Sequence, residues 1–328
     1  MNRRTLFAAL TSVAAFSLAA AAAAQTPDDY PNRPIRIIVP QAAGSGVDQQ
    51  ARVLAQKMSE LWGQQGVVEN RPGANAIVGM EAGAKAAPDG YTLIYAPVSA
   101  VTMNTFIYKK LSYDPLRDFV PIANLGTASF VLVVPESVPV KSLREFVAYA
   151  KTRPGELSYA GTSVGSVTHL STEMFARATG VKMVMVPYAG IPAAMSDLLS
   201  GRTQFMSTGV IAALPQIKSG KLRPLAILAP RRHPQLPDVP TIVEGGYPDL
   251  TVDTWFGLLA PAGTPPEIVA RVNAEIMRAL QTPEILEKYR AIGVDAVKPH
   301  SPDAFGTLLK SEISRWGTVI REANVKVE

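Results

Sequence analysis

From Pro34 onward the chain alternates short β-branched runs with helical patterns, and that alternation points to the α/β class. The run 35–39 (Ile-Arg-Ile-Ile-Val) reads as a strand closed by Pro40. Residues 48–61 carry a helical period, with Val53, Leu54, Met58 and Leu61 on one side. Further strands are expected at 67–69, 91–95, 130–134, 157–160, 182–186, 204–208, 222–228 and 255–260. Helices are expected at 77–87, 143–151, 167–178, 193–199, 268–280 and from Asp303 to about Ala323. So regular an alternation predicts largely parallel sheets. At 328 residues the chain is too long for one five-stranded unit, and a proline-rich stretch runs from Pro215 to Pro248. Both features predict two α/β lobes.

Composition narrows the function. The 47% hydrophobic and 18% charged residues supply a core and exclude a disordered chain. The formal charge is +5 with no block of five like charges, so the basic footprint of a nucleic-acid binder is missing. The absence of cysteine excludes disulfides, thiolate metal sites, a cysteine nucleophile and a lipid-anchored N-terminal cysteine. The three histidines, His169, His233 and His300, lack ligand spacing, so neither a metal nor a cofactor is expected.

The N-terminus reads as an address. Arg3 and Arg4 precede an uncharged apolar stretch, 6–24, that ends in Ala22-Ala23-Ala24. This is the pattern of a signal peptide cut before Gln25, which predicts an exported, periplasmic protein. An uncleaved anchor is the alternative, and Arg3-Arg4 leaves twin-arginine export open beside the general secretory route.

Two strand–loop–helix junctions are the strongest local signals. The first is Gln41-Ala42-Ala43-Gly44-Ser45-Gly46-Val47-Asp48, and the second Gly161-Thr162-Ser163-Val164-Gly165-Ser166-Val167-Thr168-His169. The first amides of a helix lack intrahelical partners and attract anions. Glycines let a ligand approach the backbone, and ligands of open α/β sheets bind at the carboxyl ends of strands. The plainer reading of the same residues is two ordinary turns in which Asp48 and Ser166 cap helices. Neither junction fits a nucleotide fingerprint, because Gln49 stands where G-x-G-x-x-G needs its third glycine. The second contains G-x-S-x-G, which keeps a secreted serine hydrolase using Ser163 as an alternative. Ser99, Tyr188 and Thr208 also lie at or just beyond strand carboxyl ends, each a candidate ligand contact.

Longer stretches resemble the Bug family, the periplasmic receptors of tripartite tricarboxylate transport systems. They include Val68-Glu69-Asn70-Arg71-Pro72-Gly73-Ala74, Pro88-Asp89-Gly90-Tyr91-Thr92-Leu93, Val186-Pro187-Tyr188, Pro237-Asp238-Val239-Pro240-Thr241 and Ala260-Pro261-Ala262-Gly263-Thr264-Pro265. The resemblance covers essentially the whole chain beyond residue 24. It implies a two-lobed, type II periplasmic binding protein fold, with 25–127 and 252–328 in one lobe and 128–251 in the other. It implies a monomeric receptor, not an enzyme, that closes on a small di- or tricarboxylate and serves the membrane subunits of a transporter. An aromatic carboxylate is the alternative ligand. Carried over by position, the ligand residues are Gly44, Ser45, Asp48, Thr162, Ser163, Ser166, His169, Tyr188 and Gly190. Gln41, Ser45, Asn104-Thr105 and Ala189 depart from the family's usual residues, so the ligand is not transferable from a relative.

Overall fold

The strand β1 (Ile35–Val39) forms where Ile35, Ile37, Ile38 and Val39 are all buried, as expected of a strand covered on both faces. This is a computed structural model that describes residues 29–323. The signal segment read at 1–24 and its cleavage point lie outside the described residues. The chain divides into a short unit, Met1–Asn32, and one compact unit, Arg33–Glu328, and the fold described is that of the second.

After β1 come α1 (Gly46–Trp62), β2 (Gly66–Asn70), α2 (Ile77–Ala84) and β3 (Thr92–Pro97). A π-helical turn, Ser99–Met103, runs into α3 (Asn104–Ile107). Next come β4 (Phe119–Pro135), α4 (Leu143–Lys151), β5 (Leu157–Gly161), α5 (Val167–Thr179) and β6 (Met183–Pro187). Then follow α6 (Ile191–Leu199), β7 (Phe205–Gly209), α7 (Val210–Lys218), β8 (Leu222–Ile227) and β9 (Asp253–Pro261). Three helices, α8 (Pro266–Ala279), α9 (Pro283–Ala291) and α10 (Pro302–Ala323), end the described chain.

The strands form one sheet in the order β2-β1-β3-β9-β4-β7-β5-β6, with β8 also on β4. The α/β class therefore holds, but the sheet is mixed rather than largely parallel. The pairs β1–β2, β1–β3, β5–β6 and β5–β7 are parallel, whereas β9 is antiparallel to β3 and β4, and β4 to β7 and β8. β4 joins the halves: Phe119–Ser129 pair with β9, and Phe130–Pro135 pair with β7 and β8.

Register shows where the strand ends point. Pro97, the end of β3, is level with Phe256, which is level with Gly126. Gly209, the end of β7, is level with Phe130. The carboxyl ends of β1 and β3 thus face those of β5 and β7 across the middle of β4. One buried cluster runs through both halves, with Met80 and Ile94 from the first, Phe146 and Phe205 from the second, and Trp316 of α10.

Candidate functional site

The two junctions are built alike, down to their torsions. Gly44 and Gly165 both have φ +79°, the left-handed region that glycine enters without a Cβ penalty. Ser45 and Ser166 follow as extended N-caps, with ψ 161° and 162°. The Ser45 hydroxyl accepts from the Asp48 N–H at 3.2 Å, and that of Ser166 from the His169 N–H at 3.3 Å. Each serine N–H reaches the carbonyl three residues back, Ala42 or Ser163, at 3.1 Å. The side chain three residues beyond each serine closes the loop. Asp48 Oδ2 accepts from the Gly44 N–H at 2.8 Å, and His169 Nδ1 from the Gly165 N–H at 2.9 Å. The N–H groups of Gly46 and Val47, and of Val167 and Thr168, have no acceptor among the described residues.

Asp48 is buried, with both oxygens engaged. Oδ1 accepts from Asn70 at 2.9 Å, and Oδ2 also accepts from Arg52 at 3.0 Å. Burial pushes its carboxyl up, but the hydrogen bonds from Arg52, Gly44 and Asn70 outweigh it and hold it below the usual range. His169 is also buried; desolvation lowers its pKa, opposed by the Glu173 carboxylate 3.9 Å from Nε2. In the second loop the hydroxyls form a chain. Thr162 and Thr168 meet at 3.0 Å, Thr168 and Ser166 at 2.8 Å, and Ser166 donates to the Ser163 carbonyl at 2.7 Å.

The other sequence candidates are placed as follows. Ser99 is half-buried at the start of the π-helical turn, directly beyond β3. Thr208, at the end of β7, is fully buried and its hydroxyl has no partner among the described residues. Tyr188 turns its hydroxyl to Asp197 at 2.9 Å, two turns into α6, and packs on the cluster beneath that helix. Gly190 caps α6 with φ 176°, extended backbone open to any residue. Histidine is not paired with the Ser163 hydroxyl among the described residues. His300 accepts from the Asn124 N–H at 3.0 Å, and His233 Nδ1 from the Gln235 N–H at 3.2 Å.

Residues not assigned to the ligand from the sequence complete the site. Arg52 and Asn70 hold Asp48, and Thr168 links the second loop. Gly73, Ala74, Asn75 and Ala76 all have positive φ, one left-handed turn beyond the end of β2. Asn104 ties it down: its Nδ2 donates to the Asn75 carbonyl at 2.9 Å, and its Oδ1 accepts from the Asn75 side chain at 2.8 Å. Within the turn, Asn75 tolerates that region whereas alanine does not.

The model of the tripartite tricarboxylate transporter family receptor matches residues 50–325. The chain belongs to this family. Among its relatives is protein BugT of Bordetella pertussis, 39% identical over 308 residues that cover 94% of each chain. The structure is also similar to Rpa4515 of R. palustris with adipate, at TM-score 0.85 and 35% identity, covering 91% of this chain and all of that one. MatC from Rhodopseudomonas palustris with bound malate matches at TM-score 0.80 and 34% identity, over 89% of this receptor and 100% of MatC. Among the described residues no helix of the receptor is long and apolar enough to cross a membrane.

Proposed function

We propose that the chain is a periplasmic receptor that captures a small di- or tricarboxylate between two lobes and presents it to the membrane subunits of a tripartite tricarboxylate transporter. The lobes are 25–127 with 252–328, and 128–251. One observation carries the reading: two like-capped helix N-termini with unpaired first-turn amides follow strands of the two halves whose carboxyl ends face each other across the middle of β4. Each favours an anion, so a ligand with two carboxylates has a partner at either end. Family membership and the two relatives solved with diacids support the same class.

The donors assigned to the ligand are the N–H groups of Gly46, Val47, Val167 and Thr168 and the hydroxyls of Ser99, Ser163 and Thr208. Gly44, Ser45, Asp48, Thr162, Ser166 and His169 hold those donors in place, and Tyr188 and Gly190 shape the loop beyond β6. The receptor acts as a monomer, needs no cofactor and does no chemistry on its ligand. Residues 1–24 direct export and are removed before Gln25.

The test is thermal unfolding of residues 25–328 against C4 to C6 diacids, citrate, acidic amino acids and aromatic acids. A ligand at 100 times its Kd stabilises by about 2.7 kcal/mol, enough for a midpoint shift of about 5 °C or more. A selective rise with one acid is expected. No rise with any of them, in protein stripped of carried-over ligand, would sink the carboxylate reading. Turnover of a nitrophenyl ester that is lost in Ser163→Ala would replace it with a hydrolase. Thr208→Val separates ligand from fold: removing an unpaired buried hydroxyl leaves stability equal or higher, while affinity drops by about 1 kcal/mol or more.

A further inference from the structure

The two capped junctions share one plan but carry inverted charge. In the first, the residue that closes the loop is an acid, Asp48, with a base four residues on, Arg52. In the second it is a base, His169, with an acid four residues on, Glu173. The acceptor for Gly44 is a carboxylate, held ionised by Arg52 and Asn70. The acceptor for Gly165 is an imidazole nitrogen, Nδ1, which accepts only while it carries no proton.

Accepting at Nδ1 places the ring proton on Nε2, on the side of Glu173 Oε1. Tyr159 from β5 lies parallel to the imidazole and offset from it, with planes 10° apart and centroids 6.4 Å apart, and its hydroxyl donates to the same Glu173 oxygen. Glu173 is the charged group that acts on the ring among the described residues, and Tyr159 is the titratable one stacked on it. A second proton would turn Nδ1 into a donor facing the Gly165 N–H. The loop would lose the bond that holds its left-handed glycine, and a positive charge would stand in the first turn of α5, where the helix dipole opposes it.

We propose that His169 is a positioning residue that makes the second ligand loop pH-sensitive, while Asp48 keeps the first constant through the same range. Above the ordinary imidazole pKa of 6.5 both loops are held. Burial holds the His169 imidazole below that value; as the pH falls through its own lower value it takes up a proton, Gly165 is released, and the amides of Val167 and Thr168 lose their fixed direction. The first junction keeps its shape until its carboxylate titrates. The receptor thus loosens its hold on a carboxylate from one end as the solution acidifies.

The claim about the ligand rests on the proposed receptor function, whereas the claim about the loop does not, so the experiment has two arms. The first uses the ligand-free chain, with the amide resonances of Gly165 and Gly44 and the ring nitrogens of His169 followed by NMR from pH 8 to pH 5. The Gly165 amide should shift together with the His169 ring, and that of Gly44 should stay constant. A Gly165 amide that ignores the ring titration overturns the proposal. The second arm measures adipate affinity at pH 7.5 and 5.5 for wild type and His169→Asn. The asparagine Oδ1 sits near the place of Nδ1 and accepts at every pH without charge. Wild type should lose about fivefold more affinity than the variant on acidification, the worth of one ordinary hydrogen bond. Equal losses in the two proteins overturn the link to the ligand. If adipate fails to bind at any pH, the affinity arm uses whichever acid raises the thermal midpoint, and if none does the carboxylate reading is at fault while the amide titration decides the role of His169 alone. If His169→Asn fails to fold, the wild-type titration still decides it.

Discussion

Gly44 and Gly165 have the same φ of +79°, yet their surroundings differ, and this separates conformational strain from steric strain. A Cβ at Gly44 meets nothing within 4 Å, whereas one at Gly165 would stand 2.3 Å from Ile107 Cδ1 of α3. Gly44→Ala should therefore cost only the left-handed backbone term, about 1 to 2 kcal/mol. Gly165→Ala adds the displacement of a buried isoleucine and should cost about 2 to 4 kcal/mol. Denaturant midpoints of the two variants give the comparison, and equal losses would mean that the second loop does not press on α3. The same contact explains why Gly165 matters twice: it forms the turn, and it lets a loop from one half lie against a helix from the other. The sequence made both glycines legible as loop-formers before helices. It could not reveal that Asp48 and His169 turn inward to accept from them, because a side chain at that position looks the same whether it faces a ligand or its own backbone.

At the scale of elements, the left-handed turn at Gly73–Ala76 is held against its own torsional preference by Asn104, which is fully buried. Ala74, with φ 45°, is exposed, so Ala74→Gly relieves strain without removing core contacts. It should stabilise by about 0.5 to 1 kcal/mol after the entropy of the added glycine is subtracted. Asn104→Ala removes the tether and also the bond to the Tyr113 hydroxyl at 3.2 Å, and should cost about 2 to 4 kcal/mol. Urea unfolding of both variants tests the pair, and a destabilising Ala74→Gly would show that the turn is unstrained. Elements were legible where the pattern is regular. β1, α4 and α5 lie within a residue of their expected positions. Only the last third of β4 could be read, because register shifts at Pro121/Ala123 and Asn124/Gly126 break the alternation that marks a strand. Pro215 hid α7, which contains it. The largely parallel sheet expected from the alternation fails at β9, because nothing local to Trp255–Ala260 encodes that it inserts, antiparallel, between β3 and β4.

For the molecule as a whole, acid should act in two stages. Burial depresses the imidazoles of His169 and His233, so below the ordinary value of 6.5 the unfolded chain binds more protons than the folded one. Their contribution is complete above that value and is lost as the pH falls through the depressed values. Glu244, held by Arg232, and Glu284, held by Lys288 and Lys57, are pulled down to about 2 from an ordinary 4.5. Their contribution is present above 4.5 and fades toward pH 2; both are solvent-exposed and the effect is modest. A thermal midpoint that stays flat between pH 8 and pH 5 would refute the histidine stage. The last helix sets a different limit on the whole. Trp316 and Ile320 of α10 are buried in the cluster that runs through both halves, and Arg177 of α5 donates to the Glu322 carbonyl near its end. A helix that belongs to one proposed lobe and packs on the other acts as a clasp, and opening the cleft must loosen it. Ile320→Ala should cost about 2 to 5 kcal/mol, as Ile276→Ala in α8 should, because both side chains are almost fully buried. Only the first variant loosens the clasp, so only it should raise the ligand-free radius of gyration by small-angle scattering and enlarge the contraction on binding. Equal radii in the two variants, at equal loss of stability, would make α10 a wall of one lobe and leave the closing motion to β4 and β9.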